Sequence, residues 1–339
     1  MNKHLLFGFL LLASCSTFSR QPPDELIDKS SIHFLTHPRV PAAQSLSQFG
    51  YDSNAIEVAL QTIYEERNYR PLWHKQGKLS SRGAALIDSI RQIDHEGLAP
   101  QDYLPQVFDT RPNETASSSI ANKDLALSLS VLRLFIDGAR GRPLARSADG
   151  EAEVVWDRRA EDLTTILRAA SLNNDPFHEI HGHFPPHDQY ALLKTALGTY
   201  LDSTTARSYN QLAKGEVLKR GMADSRIQLV KENLVTLGDL SPRGTFDDVF
   251  DAELFSAVRR FQRRHGLNPS GSVDSETLDE LNVTPAERVK TLIVNLERWR
   301  WLPEDRTIPK QVWVNIAGFE LVTLSQHKFI LRSPVVVGK

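Results

Sequence analysis

Apolar residues recur with helical spacing through most of the N-terminal half of the chain. Ile56, Leu60 and Ile63 share one face of a helix, and Pro71 prevents that helix from continuing far beyond it. Further segments with helical character lie at 123–139, 160–172 and 188–201. This pattern predicts a mainly α-helical domain over residues 51–212.

A second helical domain is predicted over residues 213–283. Leu254, Val258 and Phe261 recur at helical spacing and mark one apolar face. Ser275 is the expected N-cap of the last helix in this domain. The predicted helices cover 227–237, 251–267 and 276–281. Three short helices within so few residues indicate a compact bundle.

The period of the pattern changes to two near the C-terminus, which indicates strands. Alternating positions are Val312, Val314 and Ile316, followed by Phe319, Leu321 and Thr323. Residues 325–328 have the composition of a hairpin loop, and the run FILRSPVVVGK at 329–339 predicts a buried strand. The expected fold class is therefore α+β and mainly α.

Composition narrows the choice of function. A chain of 339 residues is long enough for two or three domains, and 40% hydrophobic with 24% charged residues is typical of globular proteins. The formal net charge of −2 gives no global basic field. We therefore expect no nucleic-acid partner, and binding must depend on local sites.

The first fifteen residues, MNKHLLFGFLLLASC, resemble the signal peptide and lipobox of bacterial lipoproteins. Their apolar stretch is too short to span a membrane. The resemblance implies that Cys15 is acylated, and Ser16 is not an acidic residue, which favours the outer membrane. The alternative is an ordinary cleaved signal in which Cys15 has no role. Residues 16–50, rich in Ser, Pro, Gln and His, are predicted to be a flexible tether.

Several runs resemble the large, scaffold-containing murein L,D-transpeptidases of the bacterial cell envelope. These runs are YEERNYRPLW at 64–73, EGLAPQDY at 96–103, AVRRFQRRHGLNPSGSVDSETLDELNV at 257–283 and NLERWRWLP at 295–303. The resemblance implies a helical scaffold domain over 51–212 and a peptidoglycan-binding module over 213–283. It also implies that 284–339 are a connector and the first strands of a β-rich catalytic domain.

Members of that family carry a catalytic cysteine in a Ser/His-x-Gly-Cys-Ile/Val-Arg run, which the resemblance places downstream of the VVVGK strand. Its thiolate attacks the carbonyl after diaminopimelate and passes the acyl group to a second diaminopimelate amine. Cys15 is the only cysteine of this chain. We therefore expect no catalytic residue, no cofactor and a catalytic domain truncated after its first strands.

The predicted function is that of a cell-envelope protein that binds peptidoglycan but lacks the catalytic cysteine. Two alternatives stay open. The chain is a split or truncated L,D-transpeptidase whose missing part is encoded downstream, or it is a non-catalytic partner of another envelope protein through an open β edge. In each case the expected location is the periplasmic side of the cell envelope, as an outer-membrane lipoprotein. The expected partners are peptidoglycan and, through the lipid, the membrane.

Three arginines are the candidate binding residues. Arg259, Arg260 and Arg263 point away from the apolar face of the helix at 251–267, and they would form a cationic strip. Such a strip can pair with muropeptide carboxylates, but it can equally be a solvated helix face. His265 projects toward the apolar side, where packing or capping explains it better than ligand binding.

Other side chains have weaker functional interpretations. Four histidines, His178, His181, His183 and His187, lie close enough in sequence for a zinc site, but their spacing is irregular and a loop is the favoured interpretation. No metal is therefore expected. Asp94 and Glu96 are interpreted as charges at a helix end rather than a sugar-cleaving pair. Trp73, Trp299 and Trp301 are interpreted as core residues rather than sugar-stacking platforms.

Overall fold

The computed structural model describes residues 26–27, 51–104, 120–142, 162–206, 209–243, 246–302, 310–316, 318–325 and 328–338. The helices are α1 Ser53–Glu66, α2 Ser81–Arg91, α3 Ile120–Arg140, α4 Leu163–Leu172, α5 Pro176–His181, α6 Asp188–Ala206, α7 Arg226–Thr236, α8 Ala252–Arg264, α9 Ser275–Leu281 and α10 Pro285–Arg300. The strands are β1 His74–Lys75, β2 Lys78–Leu79, β3 Lys310–Asn315, β4 Glu320–Ser325 and β5 Lys328–Pro334. The fold class is α+β and mainly α, as the pattern predicts.

The first core lies among α1 to α5, and a buried carboxylate organises its centre. Asp124 accepts hydrogen bonds from the backbone N–H groups of Leu72, Trp73 and His74, at 2.8, 2.8 and 3.0 Å. The Tyr64 hydroxyl donates to the same carboxylate at 2.7 Å. Asp124 thereby provides the hydrogen-bond acceptor for these three backbone N–H groups, and it fixes the turn after α1.

Ile27 is anchored to this first core. Its side chain is buried, and its backbone N–H donates to the Tyr69 carbonyl at 2.8 Å. The residue lies inside the 16–50 segment whose composition predicts a tether, so the chain contacts the helical domain at that point. The tether prediction rests on the average composition of residues 16–50, and such an average does not reveal that one isoleucine is buried against another domain.

The His-rich segment differs from the expected loop at its start. Residues 176–181 form α5, whose N-cap is Asp175, and the Asp175 carboxylate accepts from the His178 N–H at 3.1 Å. Pro176 occupies the first helical position, where a missing N–H costs nothing. Pro185, Pro186 and His187 lie outside helices, so the loop begins after α5.

The second core joins α7, α8 and α9. Asp274, not Ser275, is the N-cap of α9, because its carboxylate accepts from the Thr277 N–H at 2.9 Å. Buried Gln262 holds the turn between α8 and α9 by accepting from the Gly271 N–H at 2.8 Å. Gly271 has φ of 78°, and a Cβ there would overlap the Phe255 ring, so glycine is required.

Helix α10 follows the second core and packs against α6. A capping box between Thr284 and Glu287 starts it, with Pro285 at its first position. Buried Leu296 meets Leu197 of α6 in a small third core. The connector predicted at the start of 284–339 is therefore a long helix docked on the N-terminal helical domain.

Strands β3, β4 and β5 form an antiparallel sheet in that order. Val312 is opposite Thr323, and Thr323 is opposite Leu331. The strands predicted around 312–316 and 319–323 are confirmed as β3 and β4.

The run at 329–339 forms a strand over its first part only, and that strand is exposed although its composition is typical of a buried one. Phe329, Ile330 and Leu331 of β5 are exposed by 72%, 67% and 54%, and residues 335–337 lie beyond the end of the strand at Pro334. β-branched composition predicts extended backbone, but burial requires a second layer, and no such layer covers these residues in the described part of the chain.

Candidate functional site

Helix α8 presents an exposed strip of three arginines. Its opposite face is buried through Leu254, Val258 and Phe261, and Asp251 caps its N-terminus by accepting from the Leu254 N–H at 2.7 Å. The side chains of Arg259, Arg260 and Arg263 are all exposed. The predicted orientation of this strip is therefore confirmed, because the 3.6-residue repeat fixes which side of the helix each residue occupies.

The three guanidinium groups are restrained to different degrees. Arg260 donates through Nε and Nη2 to the backbone carbonyl of Asp239, at 3.2 and 2.7 Å. The Arg259 guanidinium lies 5.8 Å from the centroid of the Phe255 ring, a cation–π distance. Arg263 has no side-chain hydrogen bond or ion pair within the described residues. Arg260 is thus held in place, whereas Arg263 remains available to a ligand.

Arg264 joins the two helical domains, a role that helical projection does not reveal. Its guanidinium pairs with the buried carboxylate of Asp239 and donates from Nη1 to the Tyr200 hydroxyl on α6 at 2.7 Å. In the sequence, Arg264 is simply another arginine near the end of α8, and nothing in the local pattern predicts this contact. Its partner is 64 residues away in the chain, so tertiary packing alone identifies the contact.

A cleft of about 700 Å³ lies where α6 meets the end of α7, and Arg260 forms part of its wall. Its lining residues are Thr199, Asp202, Val235, Thr236, Gly238, Asp239, Leu240, Ser241, Pro242 and Arg260. The cleft combines one fixed guanidinium with hydroxyl groups, apolar side chains and the acidic residues Asp202 and Asp239, of which Asp239 is paired with Arg264. The guanidinium is the group in this wall that suits a small polar ligand with a negative charge.

Two parts of the chain match known domain families. Residues 58–197 match the family described as Scaffold domain, and residues 223–281 match the one described as Putative peptidoglycan binding domain. The two matches support an L,D-transpeptidase-like family. They also support a cell-wall-associated protein that binds peptidoglycan and a location in the cell envelope. No curated protein sequence matches the chain significantly.

The arginine strip lies within the peptidoglycan-binding match, and the cleft lies at the junction of the two helical domains. Helix α8 falls entirely inside 223–281, whereas the scaffold match ends at residue 197 and nearly half of α6 lies beyond it. Among the described residues, no helix combines the length and apolarity that crossing a membrane requires. Cys15, the predicted lipidation site, lies outside the described residues.

His265, at the end of α8 in the peptidoglycan-binding domain, is a packing residue, as its projection predicts. Its ring centroid lies 4.2 Å from that of Phe261, and Nδ1 lies 2.7 Å from Glu280 Oε1. Burial, together with the nearby charges of Arg288 and Arg264, lowers the pKa of His265 to about 4. The imidazole is therefore neutral at physiological pH.

Three of the four histidines, His181, His183 and His187, make separate side-chain contacts, and His178 is exposed. His181 Nε2 lies 3.2 Å from Glu96 Oε1, the His183 ring contacts Phe135, and the His187 ring contacts Trp299. In the part of the chain that the structure describes, no group of three His, Cys, Asp or Glu side chains is placed to hold a metal ion.

Glu96 is part of a structural ion pair, and Asp94 does not join it. Glu96 is buried and pairs with Lys194 and His181, whereas Asp94 is exposed beside His95. Burial alone would raise the pKa of Glu96, but the hydrogen bonds from His181 and Lys194 outweigh burial and lower it. A carboxylate that its partners favour in the ionised form is unsuited to acid catalysis, which agrees with the structural interpretation.

The tryptophans differ in burial. Trp73 is fully buried in the first core, as predicted. Trp299 is only half-buried and stacks on Trp313 of β3, with centroids 5.3 Å apart and planes at 27°. Trp301 is half-buried and donates from Nε1 to Glu297 Oε1 at 2.9 Å. Trp299 and Trp301 therefore lie at the edge of the packed helices rather than inside a core.

Proposed function

We propose that this chain is a cell-envelope protein that holds peptidoglycan through Arg259, Arg260 and Arg263 of α8. The observation that carries the proposal is that three guanidinium groups are exposed on one face of the domain with the peptidoglycan-binding match. The peptide stems of peptidoglycan carry carboxylates, and guanidinium groups recognise carboxylates through charge-assisted hydrogen bonds. Binding and retention at the cell wall follow from this chemistry.

Charge reversal at the two arginines that are not tied to Asp239 tests the proposal. In residues 16–339, Arg259→Glu with Arg263→Glu should reduce the fraction bound to insoluble peptidoglycan about ten-fold, because attraction becomes repulsion at two positions. The wild-type interaction should weaken as salt rises from about 50 to about 300 mM, since exposed charges are screened. Cosedimentation is the measurement.

The matched control is Lys214→Glu with Arg220→Glu. Both side chains are exposed in the segment before α7, and the double substitution changes the net charge by the same amount without touching α8. This control should bind almost as wild type does. Equal loss in both double variants would show that only net charge matters, and full retention by the α8 variant would locate binding elsewhere.

We further propose that Cys15 carries a lipid that anchors the protein to the outer membrane, and that the part of the predicted 16–50 tether before the buried Ile27 links this lipid to the helical domain. The lipobox-like run Leu12-Ala13-Ser14-Cys15 supports this anchor. Cys15→Ser should move the protein from the membrane fraction to the soluble envelope fraction, because one or more acyl chains supply the membrane affinity. Unchanged fractionation of the variant would indicate an ordinary signal peptide.

Acyl transfer is not part of the function proposed for residues 16–339. The chemistry of the family that the chain resembles requires a thiolate, and Cys15 is the only cysteine among the 339 residues. Binding through guanidinium groups needs no thiolate, so it stands independently of where acyl transfer takes place.

A further inference from the structure

We propose that the cleft between α6 and the end of α7 is a subsite for a carboxylate of a peptidoglycan stem peptide, with Arg260 as the residue that binds it. This inference rests on the proposed function and deepens it. It separates Arg260 from the other two arginines of the strip. Arg259 and Arg263 would attract the polymer, whereas Arg260 would position one stem.

The first argument is that Arg260 is preorganised. Its Nε and Nη2 donate to the Asp239 carbonyl, while the Asp239 N–H donates to the Leu234 carbonyl at 2.8 Å. The acceptor that holds the guanidinium is therefore itself fixed to the end of α7. A guanidinium has five N–H donors, so donors remain for a ligand after two are used. Little side-chain entropy is left to lose when a carboxylate binds.

The second argument concerns charge. The Asp239 carboxylate is adjacent to Arg260, but it is buried and paired with Arg264, which neutralises it. Arg260 therefore keeps its net positive charge at the cleft wall. The exposed carboxylate of Asp202 lies on the wall that α6 forms. Asp202 already takes part in another interaction, so the fixed guanidinium of Arg260 is the charge that selects the ligand. A guanidinium favours a ligand that carries a carboxylate, such as a stem peptide.

The third argument concerns shape and polarity. Val235, Leu240 and Pro242 give the cleft apolar patches that suit the small side chains of a short peptide. A phosphate dianion would gain nothing from these apolar patches. The observations therefore favour a peptide carboxylate over a phosphate group as the occupant.

The cleft draws residues from both helical domains. Thr199 and Asp202 belong to α6, whereas the other walls come from the second domain. The Arg264 contact with Tyr200 holds these two walls together. A bound stem would touch both domains, so its affinity should depend on α6 as well as on Arg260.

Two substitutions test the subsite in residues 16–339. Arg260→Gln removes the charge, and Thr199→Trp fills the cleft from α6 while Arg260 stays intact. Thr195→Trp is the matched control, because Thr195 is also exposed on α6 and donates to the carbonyl four residues earlier, yet it does not line the cleft. Titration calorimetry with soluble muropeptides, released from peptidoglycan by a muramidase, measures affinity.

We expect Arg260→Gln and Thr199→Trp each to weaken muropeptide binding about ten-fold or more, and Thr195→Trp to leave it within about two-fold. Muropeptides whose carboxylates have been converted to amides should bind wild type as weakly as unmodified ones bind Arg260→Gln. Circular dichroism melts check that each variant is folded. If Arg260→Gln loses its fold, the comparison of the two tryptophan variants still decides the question.

Failure of this inference differs from failure of the proposed function. If wild type binds insoluble peptidoglycan but Thr199→Trp binds muropeptides as wild type does, the cleft is not a subsite and the arginine strip still stands. If wild type does not bind peptidoglycan at all, that result contradicts the proposed function itself. Displacement of muropeptides by inorganic phosphate at similar concentration would overturn the choice of a peptide carboxylate.

Discussion

His265 shows how a single buried side chain links the stability of the peptidoglycan-binding domain to pH. Nδ1 faces Glu280, and Arg288 and Arg264 contribute positive charge nearby. Nε2 is buried and has no hydrogen-bond partner among the described residues. Adding a proton would place a charge on that unpartnered nitrogen, next to two cations. The pKa of His265 in the folded protein is therefore about 4, below the ordinary value of about 6.5.

We predict that this depressed pKa makes the domain less stable as pH falls from about 7 to about 5. Over that range the unfolded chain binds a proton at His265 that the folded chain does not bind. The free energy of unfolding therefore decreases with falling pH, by about 1–2 kcal/mol from this group. Urea unfolding of wild type and His265→Gln at both pH values measures the difference.

The exposed histidine His178 of α5 provides the control. His178→Gln should show the same loss of stability between the two pH values as wild type, whereas His265→Gln should show a smaller loss. Equal pH dependence in His265→Gln and wild type would mean that His265 takes up its proton readily in the folded state.

At the scale of elements, the C-terminal sheet has two different faces. Trp313 projects from β3 toward the helices, where its ring contacts Trp299 and His187. Its neighbours Val312 and Val314 project from the other face and are exposed by 65% and 50%. An apolar face with edge strands β3 and β5 is a template for association with another β edge.

Deletion of residues 311–339 should therefore raise solubility and lower the melting temperature of the helical domains by no more than a few degrees. The helical domains would lose mainly the stacking of Trp313 on Trp299, an aromatic interaction worth about 1 kcal/mol. Sedimentation velocity over a concentration series and a thermal melt measure the two effects. A large drop in melting temperature would show that the sheet stabilises the helices.

The double substitution Val312→Thr with Val314→Thr is a finer comparison for the same sheet. Threonine keeps the strand propensity and leaves Trp313 stacked on Trp299, but it removes apolar surface. Reduced self-association in this variant would assign association to the exposed face. Unchanged self-association would assign it to the strand edges, through which another envelope protein could also pair.

At the scale of the whole molecule, Arg300 joins α10 to the scaffold. It is 2% exposed, and it donates to Glu297 Oε2 and to the Tyr190 hydroxyl, each at 3.0 Å, and to the Glu96 carbonyl. These partners lie on α10, on α6 and on the turn after α2. The guanidinium thus holds three elements that are far apart in sequence.

We predict that Arg300→Met lowers the free energy of unfolding by about 3–5 kcal/mol, because it removes the donor to the buried Glu96 carbonyl and Tyr190 hydroxyl and the cation beside Glu297. Arg298→Met is the control, since Arg298 is exposed on the same helix and should change stability by less than about 0.5 kcal/mol. Urea unfolding measures both. Similar effects of the two substitutions would contradict a specific role for Arg300.

The sequence by itself determined the helices and the orientation of the arginine strip. Leu254, Val258 and Phe261 recur with the period of the helix, so the solvent side of α8 follows from local geometry alone. The same reasoning placed His265 toward the core. It succeeded because neighbouring positions on a helix are fixed by backbone hydrogen bonds within a few residues.

Only the tertiary structure decided which arginine is fixed, which one joins the domains and which strand is covered. The Arg264 contact with Tyr200 spans 64 residues, and the Arg300 contact with Glu96 spans 204. The exposure of β5 depends likewise on whether another layer packs against it. Periodicity records which side of an element is apolar, but the element that meets that side is chosen by packing between distant segments, which no local pattern encodes.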